Sequence, residues 1–243
     1  MHIFQKIAAL LSTAFFCAFS QAALVNGGFE NGLSGWTVLG DASTQTGAPQ
    51  GNARLLLTNA DTFSDEVDSN GQPLGPFNRS GNSPLLVGSP GGLEQQAGFV
   101  IGAFDPVGDF AQEGSLAMQS FNATAGDTLS FLWNFGTRDT LADFAFVAID
   151  GLVIRLGGVP EALLTGTGDN LLETGFQAFN FQFNTTGLHT LAFGVVDVGD
   201  VAIMSSLSLD QVQLTSNTVP EPQSLALMLM ALGLLALGSR RLP

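Results

Sequence analysis

Residues 128–135 read TLSFLWNF, and apolar side chains fall on alternate positions. Leu129, Phe131, Trp133 and Phe135 share one face, while Thr128, Ser130 and Asn134 take the other. A period of two is the spacing of a half-buried β-strand and does not form the stripe of a helix. The same period recurs at 177–183, where Phe179, Phe181 and Phe183 alternate with Ala178, Asn180 and Gln182, and at 189–195, where Leu191, Phe193 and Val195 are in phase. Residues 144–149 are apolar throughout, the pattern of a strand covered on both faces. Asp150-Gly151 joins that strand to residues 152–156 as a hairpin turn. Further on, Leu207 and Leu209 are in one phase and Val212 and Leu214 in the other, so a bulge is expected at Asp210-Gln211. Short strands separated by turn clusters, in a chain with 30 glycines, point to an all-β sandwich. Two stretches depart from the pattern. Residues 58–92 are rich in Asp, Asn, Ser, Gly and Pro and read as a long loop. Residues 93–101 read as one short helix, with Leu93, Ala97 and Val100 on one face.

The chain has 243 residues, 45% of them hydrophobic and 12% charged. That is enough for one domain with a substantial core and too apolar for a disordered chain. Residues 23–222 hold four arginines, no lysine and all 21 acidic side chains, which leaves a net charge of −17. Such a surface repels phosphate backbones and excludes nucleic acid as a partner.

Residues 1–22 have the order of a secretory signal: Lys6, the apolar run Ile7–Phe19, and Ser20-Gln21-Ala22 as small residues before cleavage at Ala23. Cys17, the sole cysteine, leaves with this segment, so no disulfide or cysteine metal site is expected in the body, residues 23–216. At the other end, residues 217–243 contain Val219-Pro220-Glu221-Pro222, an apolar helix expected over 224–238, and a basic end at 239–243 with Arg240 and Arg241. The run from Leu225 to Gly238 covers only about 21 Å as a helix, against a hydrocarbon core of about 30 Å. The paired arginines fit a cytoplasmic C-terminus and an exported body.

This tripartite end resembles the sorting signal of PEP-CTERM proteins. The resemblance implies export, transient anchoring in the inner membrane through the C-terminal helix, and removal of the tail by an exosortase. It also implies a Gram-negative bacterium that makes exopolysaccharide, with the export machinery and exosortase as partners and extracellular polysaccharide as a further one. The body opens Asn26-Gly27-Gly28-Phe29-Glu30, with Gly32, Gly35 and Trp36 following, and closes Leu209-Asp210-Gln211-Val212-Gln213-Leu214. Those two motifs resemble the galactose-binding-like β-jelly-roll domains found in carbohydrate-binding modules. The expected fold is therefore one jelly-roll β-sandwich with a short helix, flanked by the signal helix and the C-terminal hydrophobic helix. In the resembled domains the glutamate of the opening motif and the aspartate of the closing motif often help to hold a structural Ca2+. By that resemblance Glu30 and Asp210 are the expected ligands here, with Asp41 as an additional candidate. Carboxylate-rich loop–strand junctions suit such an ion.

Catalytic chemistry finds little support in the residue types. His189 is the only histidine after Ala23, it sits in a strand pattern, and no G-x-S-x-G elbow accompanies any serine. A zinc site lacks ligands, a phosphate loop lacks its lysine, and no carboxylate pair is marked out for glycoside hydrolysis. Arg138, Asp139 and Asp143 form a polar loop after a strand, either lining a ligand site or solvated with local ion pairs. Trp36 and Trp133 are expected in the core. The expectation is a non-enzymatic, exported protein with a structural or adhesive role in the exopolysaccharide matrix. A carbohydrate-binding module with a defined sugar site is the alternative, and a secreted hydrolase the third reading.

Overall fold

The computed structural model describes residues 23–63, 67, 70–105 and 110–216. The expected signal segment and the sorting tail lie outside the described residues. In chain order the strands are β1 (Thr37–Leu39), β2 (Asp41–Thr46), β3 (Ala53–Thr58), β4 (Leu85–Leu86), β5 (Ala111–Ala123), β6 (Thr128–Thr137) and β7 (Phe144–Ile149). They continue with β8 (Leu152–Gly158), β9 (Leu164–Thr165), β10 (Leu172–Glu173), β11 (Gln177–Gln182), β12 (Gly187–Val198) and β13 (Ser205–Thr215). Among the described residues the single α-helix is α1, Leu93–Gln96.

Two antiparallel sheets face each other as a jelly roll. One runs β1-β5-β12-β7-β8, with β4 on the edge of β5; the other runs β2-β3-β13-β6-β10-β9, with β11 beside β10 along the edge of β6. The chain crosses between sheets at β1–β2, β3–β4, β5–β6, β6–β7, β8–β9, β11–β12 and β12–β13, so many neighbours in sequence supply opposite walls of the core. The alternation seen in the sequence fills the space between those walls. Leu129, Phe131, Trp133 and Phe135 of β6 meet Leu191, Phe193 and Val195 of β12 in one buried cluster. The Phe193 ring lies 5.8 Å from that of Trp36 and 4.8 Å, edge-on, from Phe131. Both tryptophans are in this core.

β7 is buried at every position because both its faces are covered. Ala145, Val147 and Ile149 face the inter-sheet core, while Phe144, Phe146 and Ala148 face a second cluster with Val87, Leu93 and Phe104. The segment around α1 forms this outer lid. Asp150 (φ 51°) and Gly151 (φ 83°) make the expected turn, with positive φ at both central residues. The bulge also forms: the β13–β6 register shifts between Asp210 and Gln213, with Gln211 at φ 55°.

The helix is shorter than its sequence pattern suggested. It ends at Gln96, and Gly98 takes φ 85° just beyond it. Val100 is consequently 77% exposed rather than on the buried face. Phe99 packs inward instead, its ring 5.4 Å from that of Phe104. No helix among the described residues is long and apolar enough to cross a membrane.

Phe193→Ala should cost about 3–5 kcal/mol, the usual range for emptying a buried phenylalanine site. Leu163→Ala, at an 80% exposed position, should leave stability nearly unchanged. Denaturant unfolding of the two variants beside the parent checks the pair.

Candidate functional site

Three places gather polar chemistry. At the first, the opening and closing motifs meet. Val212 N–H donates to Gly27 O at 2.9 Å, tying the start of the body to β13. Glu30 Oε1 accepts from the backbone N–H groups of Asn52 (2.6 Å) and Ala53 (3.0 Å), which hold its carboxyl below the usual range. Asp210 is fully buried at the bulge; its Oδ2 accepts from Gln50 N–H and its Oδ1 from Gln211 N–H. Burial pushes the Asp210 carboxyl up, and the nearby Glu30 adds to the rise. Both acids thus grip the β2–β3 loop, an all-oxygen pair whose mutual repulsion a calcium ion would relieve. Asp41 does not join them. It starts β2, at the far end of the hairpin from that loop, and its carboxylate accepts from Thr58 Oγ1, Arg79 N–H and Ser80 N–H.

The second place is the loop after β6. Asp139 and Asp143 are not solvated there: they are 7% and 0% exposed. They converge on Asp197 of β12, 1% exposed, with one carboxylate oxygen from each of the three inside a 4.8 Å spread. Antiparallel pairing makes the convergence, because Val196 stands opposite Phe144 and so brings Asp197 beside Asp143. Asn59 Nδ2 donates to Asp143 Oδ2 (3.1 Å) and to Asp197 Oδ2 (3.2 Å). Asn59 Oδ1 in turn accepts from Ser205 N–H at 2.6 Å. Val198 N–H donates to Asp143 Oδ1, and the N–H groups of Thr140 and Leu141 donate to Asp139 Oδ1. Asp139 Oδ2 and Asp197 Oδ1 are buried without a hydrogen-bond partner. Burial, with repulsion from Asp139, pushes Asp143 up to about 7 despite hydrogen bonds from Ser205, Val198 and Asn59. Burial again, then repulsion from Asp143, Asp200, Asp139 and Glu113, pushes Asp197 up to about 10.

The third place is a groove of about 260 Å³ on the outer face of the β2-β3-β13-β6 sheet. Leu56, Ser206 and Ser208 lie along its strands, with Arg54, Arg79 and Asp169 around them. Arg79 pairs with Asp169, and Arg138 Nη1 donates to Asp169 O at 2.8 Å. Arg138 also lies over the Phe77 ring, 4.8 Å from its centroid. Arg54 Nη1 donates to Gly47 O, while its buried Nε has no hydrogen-bond partner. Three of the four arginines of a strongly acidic body therefore collect at one groove or directly behind it. His189 is structural, its Nδ1 2.6 Å from Asp150 Oδ2 and its ring against Phe183.

Sequence reasoning found Asp139 and Asp143 but missed Asp197, Asn59, Arg54, Arg79 and Asp169. None of them belongs to a motif of fixed spacing, and only strand pairing and loop packing show what each faces.

Comparisons with known proteins agree with the sequence at the C-terminal end. Residues 218–241 match the PEP-CTERM protein-sorting motif, so the chain carries an export and sorting signal. No curated protein matches the chain. Among solved structures, the body is similar to TmCBM61, determined in complex with β-1,4-galactotriose, at 13% identity and a TM-score of 0.39, over 82% of this chain and 100% of that one. It is also similar to the K3 cleaved adhesin domain of Lys-gingipain from Porphyromonas gingivalis, at 10% identity and a TM-score of 0.39, over 81% and 100%. A third similarity is to the enzymatically active domain of tailspike protein 4 of bacteriophage CBA120, at 10% identity and a TM-score of 0.38, over 80% of this chain and 21% of that one.

The raised carboxyls make stability depend on pH with a definite sign. A folded-state pKa above the ordinary 3.8 means the native protein binds the proton more tightly. The stabilisation is full below about pH 4 and is lost as pH rises through about 7 for Asp143 and toward about 10 for Asp197. In chelator, the melting temperature should therefore fall from pH 5 to pH 9, and fall less for Asp197→Asn, which mimics the neutral acid. Parallel melting profiles for the two proteins would contradict this.

Proposed function

We propose that this chain is an exported, non-catalytic module with an adhesive or structural role in the extracellular polysaccharide, released to the cell surface when its membrane-held tail is processed. The observation that carries the reading is the sorting motif at residues 218–241, which follows directly on a single β-sandwich. A short apolar run with Arg240 and Arg241 beyond it suits a temporary anchor better than a permanent one. An exosortase and the export machinery are the partners this implies.

The outer-sheet groove supports a sugar contact within the same role. Serine hydroxyls, an asparagine and two arginines meet there beside the apolar side chains of Leu56 and Met204. Trp36 and Trp133 are both buried, so the contact would rest on hydrogen bonds and charge rather than on tryptophan stacking. Guanidinium groups and hydroxyls suit the hydroxyl groups of a neutral polysaccharide, since a body at −17 repels acidic chains as it repels phosphate backbones. Ca2+ held by Glu30 and Asp210 belongs to this reading as a clamp on the β2–β3 loop, whose far strand leads into the groove.

Cells making the full chain, or a chain cut before residue 217, should differ after fractionation. The full chain should appear in the surface polysaccharide without Arg240 and Arg241 by intact mass, and the truncated chain should not be retained there. Arg54→Ala with Arg79→Ala should reduce retention on purified exopolysaccharide by about tenfold, the scale of losing one or two charge-assisted hydrogen bonds. Equal distribution of the two chains would defeat the sorting role; unchanged retention would defeat the groove.

A further inference from the structure

Three buried carboxyls that face one another need a compensating charge or protons. Asp139, Asp143 and Asp197 meet inside the end of the sandwich, far along β13 from the Glu30–Asp210 junction. We propose that Asp139, Asp143 and Asp197 form a binding site for a divalent cation of the calcium type, independent of the sugar-contact reading and of the Glu30–Asp210 pair.

The donor set is oxygen alone, which suits calcium or magnesium rather than zinc or copper. Three oxygens within 4.8 Å of one another leave a common point roughly 2.8 Å or less from each. That is close to the calcium–oxygen range of about 2.3–2.6 Å and wide for magnesium at about 2.0–2.1 Å. Calcium also tolerates irregular and bidentate carboxylates, whereas magnesium demands near-octahedral order. Asp139 Oδ2 and Asp197 Oδ1 are buried and without a hydrogen-bond partner. Left so, each carries the cost of an uncompensated buried acceptor. A proton shared between two of the carboxyls is the competing way to relieve it, and the titration below separates the two.

The surroundings hold the three carboxyls in place without filling them. Backbone N–H groups fix Asp139 Oδ1 and Asp143 Oδ1, and the Asn59 amide spans Asp143 and Asp197. Glu113, paired opposite Asp197 across β5 and β12, and Asp200 deepen the negative potential. Four segments meet at this point: the 138–143 loop, the end of β12, Asn59 after β3, and Ser205 at the start of β13. An ion there fastens all four. Because Arg138 precedes Asp139 and holds Asp169 O, the same ion steadies one wall of the groove. Outside the cell, millimolar calcium suffices for a site with a Kd on the order of 10⁻⁴–10⁻³ M.

The test is isothermal titration of CaCl2 and MgCl2 into the full chain in mild detergent, for the parent, Asp143→Asn, Asp197→Asn and Glu30→Gln, with thermal melts in chelator. Expected are saturable calcium binding, magnesium binding weaker by about tenfold or more, and loss of one bound calcium per chain, or at least about tenfold in its affinity, in both aspartate variants. Asp197→Asn should also melt above the parent in chelator, since the amide is neutral without taking up a proton on folding; this second readout separates a lost ligand from a damaged fold. Glu30→Gln should keep the ion that the aspartate variants lose. Absence of calcium binding to the parent, equal affinity for magnesium, or parent-like calcium binding in both aspartate variants would overturn the proposal.

Discussion

The body stands on the contact between two inner sheet faces, with Phe193 of β12 between Trp36 and Phe131. No cysteine follows Cys17, so no covalent staple supports the body after residue 22. Cohesion rests on close-packed apolar side chains, led by phenylalanine and leucine with alanine and valine between them. Because successive strands cross from one sheet to the other, this packing also sets where the loops emerge. It therefore fixes which polar residues meet at the ends of the sandwich.

Two polar features share one set of strand ends through the period of two. In β3 and β13, Thr58 and Ser206 turn outward to line the groove. Their neighbours Asn59 and Ser205 turn to the acidic cluster, Asn59 donating to Asp143 and Asp197 and accepting from Ser205 N–H. Groove and carboxyl cluster are thus adjacent readings of the same two strands. One peptide unit separates Thr58 from Asn59 and Ser205 from Ser206. With an ion at the cluster, as proposed, the ionic conditions outside the cell would set the firmness of the proposed sugar-contacting surface.

Much of the fold was legible because a half-buried strand writes its geometry directly into the sequence. The alternation in β6 and β12, the doubly covered β7, the Asp150-Gly151 turn and the bulge after Asp210 all follow from local spacing. The helix was overread, since the apolar spacing of Leu93, Ala97 and Val100 continued past Gly98 where the backbone did not. The sites were less legible. Asp139 and Asp143 stood out as a polar loop, but Asp197 lies 54 positions beyond Asp143 and reaches it only through the β7–β12 register. Arg54, Arg79 and Asp169 come from three separate loops and strands, and no spacing rule connects them. Asp41 was an additional candidate beside Glu30 and Asp210, yet the β2–β3 pairing places it at the end of the hairpin away from the loop those two acids hold.

The claim that the interior end of the sandwich is organised round a cation is tested most directly by a crystal structure of the exported protein grown in calcium, with anomalous scattering recorded at long wavelength. The expected result is one anomalous peak bonded to oxygens of Asp139, Asp143 and Asp197 at about 2.3–2.6 Å. The contradicting result is well-ordered density in which these three carboxyls bond to one another through protons, with no peak between them at saturating calcium.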